Sequence, residues 1–390
     1  MSNNMHYNIN VKLMYVYKSL RSFFLIVAIN ILYYQIYNLS FVDIMYLGMI
    51  IALGNVILEV PSGAFADLYG RKLSMILGAV AMIIGYTFLT FGSSFIPFAI
   101  AMVFMAFSQA LMSGADSAIV YDSMLEEGTV KDYKKVEGNF AALKMFFMGT
   151  GAVVGAFLFS YNIKLPYQVL IVISIIAFIV TIFLREPPRH KVLRTGWEQL
   201  RDSVKFSANH REVAFLLIYS GIMIALTLVG HRFQQPFMQD IGIDVKYFGL
   251  ILMIIMWIAA LFLRKVTVIE KYLGEKRTLI LLPVLLVVAW MGMAQVNIFV
   301  GLIFLLIFQV ASEMTFPIVK DYINRHVSSD MRATVLSLKG LSFNGLFFLI
   351  SYFYGWLADK YSFHAALNGI SITLLVSMAI LLSLWFTKKK

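Results

Sequence analysis

The sequence contains no cysteine, which excludes disulfides, iron–sulfur clusters and thiolate zinc sites. Charge is scarce as well: Asp, Glu, Lys and Arg together make up 14% of the 390 residues, and they crowd between apolar runs rather than spreading along the chain. The six histidines never fall in the H-E-x-x-H spacing of a helical zinc hydrolase, and no G-x-x-x-x-G-K-[ST] nucleotide loop is present. An enzyme and an ATP-driven motor therefore both lack their signatures. What is abundant is apolar: 60% of the chain, or about 234 residues. A membrane-spanning helix consumes about 20 such residues, so these furnish roughly a dozen spans and leave little for a soluble core. The 33 Phe and 20 Tyr suit a lipid-facing chain.

Apolar runs read against turn and charge punctuation predict spans near 21–40, 44–66, 73–92, 97–123, 138–160 and 165–184. Six more follow near 213–238, 245–264, 278–296, 298–320, 333–357 and 365–386. The one long hydrophilic stretch, 185–212, divides the chain into a first half (1–184) and a second half (213–390). The basic opening MSNNMHYNINVKLMYVYKSLR leads into an apolar run with no small-residue cleavage site, so it reads as the flank of a retained span. With the N-terminus inside, all but six of the 32 Lys and Arg fall on the cytoplasmic side. Lys164, Lys246 and Lys360 lie outside, and Lys144, Arg232 and Lys339 lie within spans. That asymmetry predicts an N-in, C-in topology and explains the net charge of +11 without nucleic acid.

The halves repeat. Asp43-Ile-Met-Tyr46-Leu-Gly48 precedes the second span and Asp244-Val-Lys-Tyr247-Phe-Gly249 the eighth, 201 residues later. Gln109 and Asp122 recur as Gln309 and Asp321, Lys144 as Lys339, and Gly155 as Gly355. Several pairs at offsets of 195 to 201, in register with the spans, indicate two six-helix halves related by duplication. Asp43 and Asp244 are placed to cap helix starts.

Between the second and third spans stands Gly63-Ala-Phe-Ala-Asp67-Leu-Tyr-Gly70-Arg71-Lys72. It resembles, at every signature position, the G-x-x-x-D-x-x-G-R-K motif of the major facilitator superfamily. The resemblance implies an all-α integral membrane fold of 12 transmembrane helices in two pseudo-symmetric halves. It also implies that Gly63, Asp67, Gly70, Arg71 and Lys72 form a conformational latch. In the family the aspartate faces the start of the eleventh helix and the arginine reaches an acid near the end of the fourth, which here is Asp122. The second-half counterpart, Tyr272-Leu-Gly274-Glu275-Lys276-Arg277, lacks the aspartate, and Asp321 with Arg332 is the candidate substitute pair. Glu59-Val-Pro61-Ser62-Gly63 and Arg332-Ala-Thr-Val-Leu-Ser337 look like a bacterial multidrug-efflux-type subgroup. Two departures stand against that: Ala110 occupies the position of the antiporters' fourth-helix arginine, and Gly149, Gly151 and Gly155 lack the proline of their fifth-helix motif.

A charge at mid-span costs about 2.5–3.5 kcal/mol on insertion scales and signals function. Glu59, Asp116 and Glu313 each lie roughly 9–12 Å inside the cytoplasmic helix ends at about 1.5 Å per residue. They are candidates for proton exchange and for attracting a cationic group, with a fixed structural partner such as Lys144 or Lys339 as the alternative for each. On the first and seventh spans, Asn30, Tyr34, Gln35, Arg232, Phe233 and Gln234, joined by Gln109, are the candidate substrate contacts. Tyr33 and Tyr37 fit an interfacial aromatic belt equally well. The expected function is proton-coupled efflux of a small hydrophobic or amphipathic compound by alternating access. Proton-coupled uptake, or an uncoupled facilitator for a small metabolite, is the alternative. No cofactor is expected beyond the proton gradient, and the partners are the substrate and the bilayer, with the chain acting as a monomer. The wealth of Ile, Asn, Lys, Tyr and Phe points to an AT-rich bacterial genome, hence a multi-pass protein of the bacterial plasma membrane.

Overall fold

The computed structural model describes residues 9–187, 201, 204–207, 209–296, 300–327 and 331–387. Residues 1–8, most of the expected central loop 185–212 and the terminal 388–390 lie outside these, as do the basic residues there that argue orientation. Hydrocarbon offers no hydrogen-bond partner, so a spanning backbone must satisfy itself. Every regular element among the described residues is accordingly helical. The first set comprises α1 (Ile9–Ser22), α2 (Asn30–Ile36), α3 (Phe41–Tyr69), α4 (Arg71–Phe91), α5 (Phe95–Met112), α6 (Ala115–Glu126), α7 (Tyr133–Tyr161) and α8 (Leu165–Ile182). The second comprises α9 (Arg211–His231), α10 (Gln234–Asp240), α11 (Phe248–Arg264), α12 (Val266–Gln295), α13 (Gly301–His326), α14 (Arg332–Lys360) and α15 (Phe363–Thr387).

Eleven helices among the described residues are long and apolar enough to cross a membrane, α5 and α6 counting together as Phe95–Glu126. They correspond to the second through twelfth expected spans. The first expected span, 21–40, is not one helix. Helix α1 begins at Ile9 within the basic segment and ends at Ser22, and α2 resumes only at Asn30. Large apolar side chains such as Ile57, Phe157, Leu349 and Ile372 stand exposed on the bundle's outside, as a lipid-facing surface requires.

The two sets share features of backbone. Helices α3 and α4 meet without a loop at Gly70 (φ 112°), and α12 is interrupted by Gly274 (φ 75°) 204 positions later. Only glycine adopts such a φ without strain. The seven-residue helices α2 and α10 also start 204 apart, at Asn30 and Gln234. Asp43 serves not as the cap itself but as the third residue of a capping box. Ser40 Oγ accepts from the Asp43 N–H (3.1 Å), and Asp43 Oδ2 accepts from the Ser40 N–H (3.0 Å). Asp244 caps directly, accepting from the Lys246 N–H at 3.1 Å.

The bundle end that holds the Gly70 turn is termed the Gly70 end, and the opposite one the Ser40 end. The two sets meet along α3 against α14, along α7 against α11, and where α2 touches α10. One apolar core runs through the Ser40 end and the second set. A separate, smaller core around Met14, Met75, Ile119 and Phe140 fills the Gly70 end of the first set. Asn10 ties that end together, donating to Ser123 Oγ and the Arg185 carbonyl (both 2.8 Å) and accepting from the Arg185 N–H (2.8 Å).

Candidate functional site: a charged cavity in the first helix set

A cavity of about 640 Å³ opens beside α1, α5, α6 and α7. A break in the fourth span shapes it: Gly114 (φ 78°) separates α5 from α6 and sets Asp116 in the first turn of α6, where Asp116 Oδ1 accepts from the Ser117 N–H at 2.7 Å. Lys18 from α1 stands 3.5 Å from both Asp116 and Glu137 and lies over the Phe140 ring at 4.3 Å. Arg21, one turn further on, donates to the Met112 thioether (2.8 Å), and Tyr17 donates to the same sulfur (3.0 Å). Gln109 lines this cavity and accepts from Asn55 at 3.4 Å.

Lys144 on α7 lines this cavity and also a second one, of about 230 Å³, that reaches the other helix set. Gln309 and Glu313 of α13 face it there, with Gln309 Nε2 donating to Glu313 at 3.1 Å and Gln234 donating to Gln309 at 3.3 Å. The repeat-related amides Gln109 and Gln309 thus each line one of the two cavities. Among the described residues no group of three or more His, Asp or Glu is placed to hold a metal ion.

The Ser40 end is closed, and the break in the first span is its joint. Residues 23–29 carry no glycine or proline, yet they leave the helix because two neighbours complete their hydrogen bonding and packing. On one side, Gly151 and Gly155 of α7 present bare backbone: a Cβ at Gly155 would stand 1.7 Å from the Leu25 carbonyl oxygen. On the other, Gln235 of α10 donates to the Val27 carbonyl (3.0 Å) and Asn30 Oδ1 (2.7 Å). Its own carbonyl accepts from the Ile31 N–H (2.8 Å) and, longer, from the Leu32 N–H (3.4 Å). Asp359 from α14 accepts from the Phe41 and Val42 N–H groups that open α3 (2.7 and 2.8 Å). Gly249 of α11 packs on the Ala152 carbonyl of α7, where a Cβ would come within 2.1 Å.

Most residues expected to touch substrate sit in this closed packing rather than in the cavities. Asn30 accepts from Gln235, Phe233 is fully buried against Phe41 at 5.5 Å, and Tyr34 is buried against Phe98 at 5.3 Å. Gln35 is half-buried near the end of α2. Arg232 lies at the break between α9 and α10 against Gly48 of α3, and its guanidinium has no hydrogen bond or ion pair among the described residues. Tyr33 is not a belt residue: it is fully buried, its ring tilted against Tyr167 at 4.1 Å, and donates to the Leu89 carbonyl at 2.7 Å. Of the expected contacts, Gln109 lines the first cavity and Gln234 reaches Gln309 beside the second. Lys18, Arg21 and Glu137 line the first cavity without having been anticipated, because their segments read as charged flanks. The sequence signal for α1 was the spacing of Val11, Met14 and Tyr17 on one buried face.

At the Gly70 end, Arg71 is paired with Asp122 and also donates to the Ala118 carbonyl at 2.8 Å. The Arg71 and Lys72 N–H groups are capped by Glu186 (2.9 and 2.8 Å), an acid that favours the positive end of α4. Gly63 and Asp67 are exposed, and the Asp67 carboxylate has no hydrogen bond or ion pair among the described residues. Glu59 accepts from Ser337 of α14 at 2.8 Å, a bond between the two sets. The substitute pair of the second half is not Asp321 with Arg332. Arg325, one turn along the same helix, takes Asp321 at 2.5 Å and Glu270 at 3.3 Å, while Arg332 caps α13 through the Asn324 and Val327 carbonyls.

Comparison with known proteins agrees with this geometry. The profile of the Major Facilitator Superfamily matches residues 13–338. A Bacillus subtilis (strain 168) protein described as an uncharacterized MFS-type transporter, YxaM, is 24% identical over 325 residues, which is 79% of this chain and 78% of that one. Among solved structures, the nucleoside transporter NupG superposes with a TM-score of 0.77 at 14% identity, covering 98% of each chain. A D-xylose-proton symporter gives 0.69 at 15% identity, covering 95% of each. A POT family transporter in complex with 5-aminolevulinic acid gives 0.72 at 13% identity, covering 96% of this chain and 95% of that one. The chain belongs to the major facilitator superfamily.

Proposed function

We propose that this member of the major facilitator superfamily is a secondary transporter that exports a small amphipathic compound in exchange for protons, by alternating access. The observation that carries the reading is the asymmetry of the two ends. Gln235, Asp359 and Gly249 seal the Ser40 end across the helix sets, whereas the charged cavity and an unpaired Asp67 lie toward the Gly70 end. In this reading the Gly70 end is cytoplasmic, both termini are inside, and the protein is a monomer in a bacterial plasma membrane. The rocking bodies are residues 1–184 and 213–390, joined by a loop over 185–212. Helices α1 and α2 together make the first span, which brings the total to twelve and is broken at 23–29.

The latch is Gly63, Asp67, Gly70, Arg71, Lys72 and Asp122. Opening of the Ser40 end brings Asp67 against the start of α14, and the Arg71–Asp122 pair holds the turn in shape throughout. Glu59, Asp116 and Glu313 are the candidate proton carriers. Glu59 has the position best suited to the role, because its carboxylate stands at the seam and accepts from Ser337 of the other set. Uptake coupled to protons is the second reading, and a D-xylose-proton symporter on the same fold supports it.

Direction separates the two. Inverted membrane vesicles acidified inside are expected to accumulate an exported compound, with Asp67→Asn vesicles accumulating far less. Accumulation only under the opposite gradient would establish uptake, and equal behaviour of Asp67→Asn would remove the latch.

A further inference from the structure

Three cations reach the first cavity and two acids answer them there. Lys18 takes both, at 3.5 Å each from Asp116 and Glu137. Asp116, expected from the sequence to attract a cationic group, is therefore already occupied. Arg21 is left with the Met112 thioether, a weak acceptor that carries no charge, and the Tyr17 hydroxyl, and no acid lies within ion-pair distance of it among the described residues. Lys144 has no hydrogen bond or ion pair among the described residues. Glu313, the acid across the second cavity, accepts from Gln309 and feels the Lys144 charge from across that cavity, but the two form no ion pair.

A guanidinium and an ammonium without an ion pair, lining one cavity from two helices in a protein where charge is otherwise scarce, call for an anion. We propose that Arg21 and Lys144 form a subsite for an acidic group of the substrate, a carboxylate or a phosphate monoester. The transported compound is then an amphipathic organic anion, an inference that rests on the transporter reading above. Arginine's fork matches the two oxygens of such a group, and the lysine adds a movable point charge. Arg21 also lines an adjoining cavity of about 130 Å³ with Met82, Phe24, Leu170 and Ile173. An acid held at Arg21 would direct its apolar part there. The two cations sit on α1, below the joint at 23–29, and on α7, whose glycines cradle that joint. The anion therefore bridges the two helices that move if the joint opens.

The test uses the purified full chain in detergent, with binding read by thermal shift and by tryptophan fluorescence. The probes are hexanoate, hexyl phosphate, inorganic phosphate and hexyltrimethylammonium. Hexanoate or hexyl phosphate is expected to bind saturably, and Arg21→Gln and Lys144→Gln each to weaken that binding at least about tenfold, the loss of one charge-assisted hydrogen bond. Inorganic phosphate competing with hexyl phosphate would assign the phosphate group as the recognised part; hexanoate alone binding would assign the carboxylate.

The absence of cysteine supplies a second variant set that guards against misfolding. Lys144→Cys should bind poorly, regain binding when a cationic methanethiosulfonate restores the charge, and stay impaired with an anionic one. Failure of both hexyl anions to bind, equal binding to the Arg21→Gln/Lys144→Gln double variant, or preference for hexyltrimethylammonium would overturn the proposal. Vesicle transport of neutral or cationic compounds in that case would leave the transporter reading standing. Anion binding that depends on Arg21 and Lys144, without any transport, would do the reverse.

Discussion

Replacing Gln235 by Leu removes the side chain that completes the break in the first span while keeping its bulk. In the closed arrangement the Val27 carbonyl and the Ile31 N–H, bonded at 3.0 and 2.8 Å, are left without partners in a buried site. An orphaned buried polar group costs about 1–3 kcal/mol, so two cost about 2–6 kcal/mol. When the Ser40 end opens, water reaches both groups and the penalty disappears. The lower bound corresponds to roughly a 30-fold shift of the equilibrium toward the Ser40-open state. Because the chain has no cysteine, spin labels can be placed uniquely. A pair at Ser94 and Lys360 reports on the Ser40 end, and a pair at Lys131 and Lys271 on the Gly70 end, all four being exposed. Electron-electron resonance distances in lipid nanodiscs should lengthen for the first pair and shorten for the second in Gln235→Leu. Distance distributions identical to wild type at both ends would refute the assignment of Gln235 as the closing element.

Two further substitutions test the packing. Gly155→Ala puts a methyl against the Leu25 carbonyl and should lower stability by about 1–3 kcal/mol as an overpacked site. Gly345→Ala, with nothing within 4 Å of its Cβ position, should melt no lower than wild type in the same detergent. Lys339 is 3% exposed, its Nζ has no hydrogen bond, and it lies 3.6 Å over the Phe316 ring. The ring contact recovers only about 0.5–2 kcal/mol of the burial cost of an ammonium. Lys339→Met, which keeps the volume, should therefore raise the melting temperature by at least about 2 °C, and a drop would show that the charge has a stabilising partner.

Much of the architecture was legible because bilayers impose it. Span length and the Gly70 and Gly274 turns follow from local chemistry, and eleven of the expected spans appear as helices. The Arg71–Asp122 pair was legible too, since the motif specifies both its ends. The break at 23–29 was not, because Phe-Phe-Leu-Ile-Val-Ala-Ile reads as an uninterrupted helix. What releases it is a glutamine more than 200 positions away and a glycine face on another helix. The misplacement of the cavity followed from this. With α1 starting at Ile9, Lys18 and Arg21 turn from surface flank into cavity wall, and Asn30, Tyr34 and Phe233 move into the closed end. The glycines of the fifth span, set beside an incomplete antiporter motif, have a concrete task here: they let the unwound backbone approach.

The carrier mechanism is tested most directly by solute counterflow in proteoliposomes. Vesicles are loaded with an unlabelled compound identified in the inverted-vesicle assay and diluted into a trace of the same compound labelled. A carrier that exposes one site alternately to each side should show a transient overshoot of labelled compound inside, independent of any proton gradient. Uptake that rises to equilibrium without overshoot, and does not saturate, would contradict alternating access.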